Sequence, residues 1–231
     1  MIYHSTHKKI TDFDELKVGN FTIKRVRNLI YLGIHLDDQL KWDIHVKQIC
    51  NSLSRNFHMF YSIRHLLTDT LKKQLYYSLV HSRIIYGIEL YGACRDSLLK
   101  EVQIMQNELL KVLYKLPYRT DTNDLHSNLK LLKVKDLYHH QVLKFVYESV
   151  NKESIPQFHN YFKYQNTIQE RVNRNNTRLY HSIPKTKYGE STIHFLGTKL
   201  WNLLDQNIHK SKSLYIFKKA MKQKMLNTYN S

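Results

Sequence analysis

The chain has 231 residues, 42% hydrophobic and 24% charged, which supplies a buried core and length for one or two domains. Thirty-six Lys and Arg against 19 Asp and Glu leave a net charge of +17, and 17 Tyr with apolar residues throughout argue against disorder. Six Gly and three Pro are too few for the turns of a β-barrel or sandwich, so the composition predicts a mainly α protein.

The N-terminus has no apolar run after its Lys8-Lys9 pair and does not read as a signal peptide. No stretch approaches the roughly 18 apolar residues of a membrane span. The expectation is a soluble intracellular protein, nuclear or cytoplasmic, with no membrane partner. Gly19-Asn20 is a turn signal before Phe21-Thr22-Ile23, and the run from Leu29 to Ile34 is β-favouring, which predicts a short hairpin within residues 1–41.

At Trp42 the period becomes helical. Trp42, Val46, Ile49, Leu53, Phe57, Phe60 and Leu67 recur at three- to four-residue steps, with Asp37 or Asp38 expected as the N-cap. Trp42, Leu53 and Phe57 are expected to line the core, so Phe57→Ala should cost about 3–5 kcal/mol. Thr68-Asp69-Thr70 reads as a break and the cap of a second helix, continuing through Leu71, Leu75, Leu79, Ile84 or Ile85, and Ile88 to Gly92. A third starts near Ser97 with Leu98, Val102, Met105, Leu109 and Val112 on one face, and Pro117 closes it. A short helix at Leu125, Leu129 and Leu132 precedes a longer one from Val134 to Val150.

Residues 151–190 are polar, with a strand expected over 178–183. Apolar packing returns at Trp201, Leu203 and Leu204. A last helix capped by Ser213 is expected to turn Leu214, Phe217, Met221 and Met225 inward and Lys218, Lys219, Lys222 and Lys224 outward. The expected organisation is strands and a hairpin over residues 1–41, a helical domain over 42–150, and a basic region over 151–231 that ends in a helix.

The charge is uneven. Residues 151–231 hold 14 basic and 4 acidic side chains, more than half of the excess. Such a surface suits polyanions, by release of their condensed counterions. Cys50 and Cys94 are expected as reduced core residues, and the histidines lack metal-ligand spacing, so neither a metal nor a cofactor is predicted. There is no Gly-x-Ser-x-Gly elbow and no glycine-rich phosphate loop. Asp37-Asp38 superficially matches an Asp-Asp pair that holds magnesium, but two-metal catalysis needs carboxylates from a second element as well. A capping role for the pair is the reading preferred.

Four blocks carry a resemblance. Tyr31-Leu32-Gly33-Ile34-x-Leu36-Asp37-x-x-Leu40-x-Trp42-x-x-His45 resembles the segment after the catalytic core of LINE-type (non-LTR) retrotransposon reverse transcriptases. Leu71-x-x-x-Leu75-Tyr76-x-Ser78-Leu79-Val80 resembles the thumb helix of that family. Ile85-Tyr86-Gly87 with Tyr91-Gly92 is similar to its Tyr-Gly and Trp-Gly signature, with Tyr91 in place of Trp. Gly197-x-Lys199-Leu200-Trp201-Asn202-x-Leu204 and Ser213-Leu214-x-x-Phe217-Lys218 resemble the C-terminal pattern of jockey-like elements, with Asp205 where Pro is usual.

The resemblance implies a C-terminal polymerase fragment: the end of the palm, the thumb and the region after it. The catalytic aspartates and fingers would lie before Met1, so this chain would not be an enzyme alone and would lack its upstream polymerase partners. It also implies contact with an RNA/DNA primer–template duplex and places a primer-grip turn at residues 31–34, including Tyr31 and Gly33. Such contacts meet phosphate and sugar. The expected contacts are therefore Lys24, Arg25, Arg27, Tyr31 and Gly33 at the hairpin. In the basic tail they are Arg171, Arg174, Arg178, Lys218, Lys219 and Lys222. A stand-alone helical nucleic-acid-binding protein and an inert helical scaffold remain the alternatives.

Overall fold

A computed structural model describes residues 1–4, 17–165, 178–180 and 183–229. Two antiparallel hairpins come first: β1 (Lys17–Val18) with β2 (Phe21–Thr22), then β3 (Asn28–Tyr31) with β4 (Ile34–Asp37). In the second, Tyr31 pairs with Ile34 around the two-residue turn Leu32-Gly33. Both turn residues have positive φ, 48° and 76°, as a two-residue turn matched to strand twist requires. Glycine fits that geometry without strain, whereas Leu32 is held in it.

Among the described residues the rest is mainly helical, as the composition predicts. The first helical stretch divides at Arg55 into α1 (Asp43–Ser54) and α2 (Asn56–Ile63). Their apolar stripe is buried at Val46, Ile49, Leu53 and Phe60, but Phe57 is only half-buried. The large truncation cost expected at Phe57 therefore moves to Phe60. The expected N-cap also moves. Trp42 stands at the cap position in a left-handed conformation, and neither Asp37 nor Asp38 caps the helix directly. Instead Asp37 accepts from the backbone N–H groups of Gln39, Lys41 and Trp42, each at 3.0 Å. One carboxylate thereby satisfies the tight loop that turns β4 into α1, including the positive-φ residues Leu40 and Trp42.

Thr68 caps α3 (Asp69–Tyr76), accepting from the Leu71 amide. The helix then widens into a π-helical turn, Tyr77–His81, before α4 (Ser82–Ile85). Tyr86-Gly87 breaks the run, so the single helix expected to reach Gly92 is interrupted, and α5 (Ile88–Tyr91) follows. Gly92 is required by packing: a Cβ there would collide with the Tyr138 ring. The longest helix is α6 (Asp96–Leu113), succeeded by α7 (Thr122–Leu129) and α8 (Val134–Val150). The α6 face buries Leu98, Val102 and Leu109 as expected, but Leu99, Leu110 and Leu113 replace Met105 and Val112 as its fully covered members.

Beyond a 3₁₀ turn at Pro156–Phe158, the expected strand over 178–183 reduces to one antiparallel bridge between Tyr164 and Leu179; residues 181–182 lie outside the described residues. Four helices complete the chain: α9 (Lys187–Glu190), α10 (Ile193–Asn202), α11 (Gln206–His209) and α12 (Leu214–Asn227). Ser213 caps α12 through the Ile216 amide, as predicted. No described helix is long and apolar enough to cross a membrane.

Helix α8 is the shared wall. Its first half, through Leu137, Tyr138 and Val142, joins the cluster of α1–α6. Its second half, through Leu143, Val146 and Tyr147, joins Phe162, Leu179, Trp201, Phe217 and Met221. Trp201 stacks on His209 at 4.7 Å between centroids, and Tyr147 stacks on Phe217 at 4.4 Å. Asn202 clamps Leu179 by a reciprocal pair of backbone bonds, both 2.9 Å.

Candidate nucleic-acid interface

The second hairpin is pinned to the helices at its tip. Tyr86 donates its hydroxyl to the Leu32 carbonyl, and β4 packs along α1. Ile34 is buried under this arrangement, whereas Ile30, Tyr31 and Leu32 are each more than 60% exposed. The helices therefore cover Ile34 and hold the Leu32-Gly33 turn, while the side chains of Ile30, Tyr31 and Leu32 face outward. Lys24 and Arg27 are exposed on the segment between the two hairpins. Arg25 instead pairs with Asp38 at 3.8 Å, and the same carboxylate meets His4 at 3.4 Å.

Both adjacent aspartates are engaged locally. Asp37 is engaged by three amides, and Asp38, nearly buried, is engaged by two side chains. Both hold the chain in shape. Among the described residues no three His, Cys, Asp or Glu groups gather as a metal site.

The tail residues distribute differently from the expected outer face. Lys218 and Lys219 are exposed on α12, as expected. Lys222 turns back toward the π-helical turn, where its ammonium lies 3.4 Å from the Tyr77 hydroxyl and burial lowers its pKa. Lys224 bonds Asp205 at 2.8 Å. The outer face is thus two lysines, because the half-turn carrying Lys222 and Lys224 rolls onto neighbouring elements. Arg178 is exposed beside the Leu179 bridge and shares a cleft with Lys199, a residue that sequence reasoning did not single out. Arg171 and Arg174 lie outside the described residues.

The two basic groups sit on different supports. Lys24 and Arg27 lie on the segment between the hairpins, the second of which packs on α1 through β4, and Lys218 and Lys219 belong to α12, which packs on α8 and α7. No carboxylate among the described residues pairs with any of these four. An element carrying such cations keeps its field available to a polyanion.

Two buried imidazoles are neutral at pH 7. His45 and His126 are both pushed down to about 4, chiefly by burial, with the neighbouring His35 adding to the effect at His45. His126 donates Nδ1–H to the Leu131 carbonyl at 3.1 Å, and Nε2 lies within reach of the Gln103 and Asn107 amides. Burial raises both cysteine thiols, that of Cys94 to about 11, so neither is an activated thiolate.

A basic helical protein with two small hairpins at its N-terminal side is the class these features define. Its relatives are specific. The chain is 27% identical over 109 residues to a probable RNA-directed DNA polymerase from transposon BS of Drosophila melanogaster, covering 46% of this chain and 12% of that protein. It is 29% identical over 109 residues to the RNA-directed DNA polymerase from mobile element jockey of the same species, with the same coverage. A probable RNA-directed DNA polymerase from transposon X-element of that species is 25% identical over 147 residues, 62% of this chain and 15% of that protein.

The chain is related in sequence to these transposon RNA-directed DNA polymerases and matches about one seventh or less of their length. No family model and no solved structure matches it.

Proposed function

We propose that this chain is a thumb-containing part of a retrotransposon RNA-directed DNA polymerase and that it holds primer–template nucleic acid without performing the chemistry. The observation that carries the reading is the pairing of polymerase kinship with exposed cations, Lys24, Arg27, Lys218 and Lys219, that no described carboxylate neutralises. Tyr31, exposed at the hairpin tip, supplies an aromatic surface beside them. Contacts of this kind meet phosphate and sugar and read little sequence.

Binding is expected to be nearly sequence-independent and to weaken steeply with salt. Fluorescence anisotropy on an RNA–DNA duplex across a salt series measures it. Lys24→Gln with Arg27→Gln, and separately Lys218→Gln with Lys219→Gln, should each lower the log–log slope by about 0.7–0.9 per phosphate contact removed. Gln is a good helix former, so the second pair should leave stability nearly unchanged. Unaltered affinity and slope in both variants would make these faces merely solvated. Absence of binding by the unmutated protein at low salt would favour the scaffold reading.

The catalytic half of the proposal rests on Asp37 and Asp38, whose oxygens are occupied by the loop amides, His4 and Arg25. Two-metal chemistry requires carboxylates converging from more than one element. Purified protein with a primed RNA template, dNTPs and magnesium or manganese should therefore show no incorporation above a mock preparation. Extension that depends on the metal would overturn this part.

A further inference from the structure

The π-helical turn, α8 and α12 enclose a cleft of about 220 Å³ that the sequence does not announce. Its rim gathers Lys144, Lys218 and Lys222 with the rings of His81 and His140, and Tyr77 forms one wall. Ile85 and Leu137 contribute to an apolar floor. Lys144 has a carboxylate partner, Glu148 at 3.6 Å. Lys218 and Lys222 have none among the described residues. His140 donates Nε2–H to the Lys218 carbonyl at 3.3 Å, which ties α8 to α12 across the opening. The Tyr77 and His81 rings meet edge to face at 5.0 Å.

Three features demand an explanation. The Lys222 ammonium is half-buried, and its hydrogen-bond partner among the described residues is a phenol hydroxyl 3.4 Å away. Holding a cation out of water without an opposing charge is costly, and an anion in the cleft would offset that cost. The π turn is the second feature: such turns are rare and frequent at functional sites, and this one carries Tyr77 and His81 into the cleft. Third, the Lys218 and Lys222 cations converge above apolar walls. One anion with several acceptor oxygens, attached to an organic body, satisfies both halves at once. The volume falls below the roughly 300–1,000 Å³ that encloses a drug-sized ligand, so it takes a small unit.

We infer that this cleft binds one nucleotide phosphate with its sugar, Lys218 and Lys222 meeting the phosphate and Tyr77 the sugar. That the phosphate belongs to a nucleotide rests on the proposed nucleic-acid role; that it is a phosphate on an organic body rests on the cleft itself. The source is either a free nucleotide or a phosphate within a bound strand.

Isothermal titration of the intact chain with deoxyadenosine 5′-monophosphate at low salt tests it. Saturable one-site binding is expected, weaker for inorganic phosphate and absent for deoxyadenosine. Lys222→Gln should weaken the nucleotide at least about tenfold, Lys218→Gln by a smaller factor, and Lys222→Arg should retain most of the affinity. Circular dichroism checks that each variant folds. If Lys222→Gln does not fold, Lys218→Gln carries the test, since its side chain is exposed.

Equal binding of deoxyadenosine and its monophosphate, no binding of the nucleotide, or unchanged affinity in the folded variants would each overturn the site. Displacement of a labelled duplex by the nucleotide assigns the cleft to a bound strand, and lack of displacement assigns it to a free nucleotide. A protein that binds the nucleotide but no duplex fails the proposed function while keeping this site. One that binds duplex but no nucleotide does the reverse.

Discussion

Phe60→Ala should destabilise the protein by about 3–5 kcal/mol, the range for removing a large aromatic side chain from a packed interior. Phe60 is fully buried on α2, which packs against α6, where Leu109, Leu110 and Leu113 are equally inaccessible. Truncation there leaves a cavity that surrounding helices close only in part. Phe57, one turn earlier and half-buried, should lose distinctly less when truncated, because much of its ring already faces water. Urea unfolding of both variants beside the unmutated chain measures the difference. Equal losses, or a loss below about 1 kcal/mol at Phe60, would contradict this packing of α2 on α6.

Acidification should produce the second large effect. His45 and His126 are held at about 4 in the folded protein, against about 6.5 when the chain is unfolded and solvated. Between those values the unfolded chain binds more protons than the folded one, so stability rises with pH there. This contribution is fully present above pH 6.5 and is lost as pH falls toward 4. For the wholly buried His126 the loss is on the order of 3 kcal/mol, since each tenfold difference in proton affinity between the two states is worth about 1.4 kcal/mol. Burial also holds His81 at about 4, so it acts in the same direction. The urea midpoint should fall continuously from pH 7 to 4.5. In His126→Asn the slope over that interval should shrink by up to one proton, whereas an unchanged slope would mean that His126 is protonated in the fold.

The sequence motifs that carry the polymerase resemblance turn out to be structural joints. Tyr86 secures the Leu32-Gly33 turn, and Gly87 takes the left-handed conformation that separates α4 from α5. Tyr91 is buried with its hydroxyl on the Ile84 carbonyl and its ring edge-on to His45. Trp201, Asn202, Ser213 and Phe217 stack, clamp and cap the second apolar cluster. Their spacing is readable because each joint needs a particular residue type: a hydroxyl at a fixed reach, a glycine at positive φ, or an amide with both a donor and an acceptor.

Hydrophobic period, turn residues and caps by themselves determined the mainly helical class, the turn at Gly19-Asn20, the caps at Thr68-Asp69-Thr70 and Ser213, and the inward face of α12 at Phe217 and Met221. Those signals act within a few residues, so one dimension suffices to read them. Tertiary structure decided what depends on neighbours distant in sequence. It divided the long helical stretches at Arg55 and Tyr86-Gly87 and moved the buried ring from Phe57 to Phe60. It also set Asp37 to hold a loop and turned Lys222 away from the outer face toward Tyr77, 145 positions earlier. A lysine's charge is legible in the sequence, but whether water or a buried cleft surrounds that charge depends on which helices pack beside it.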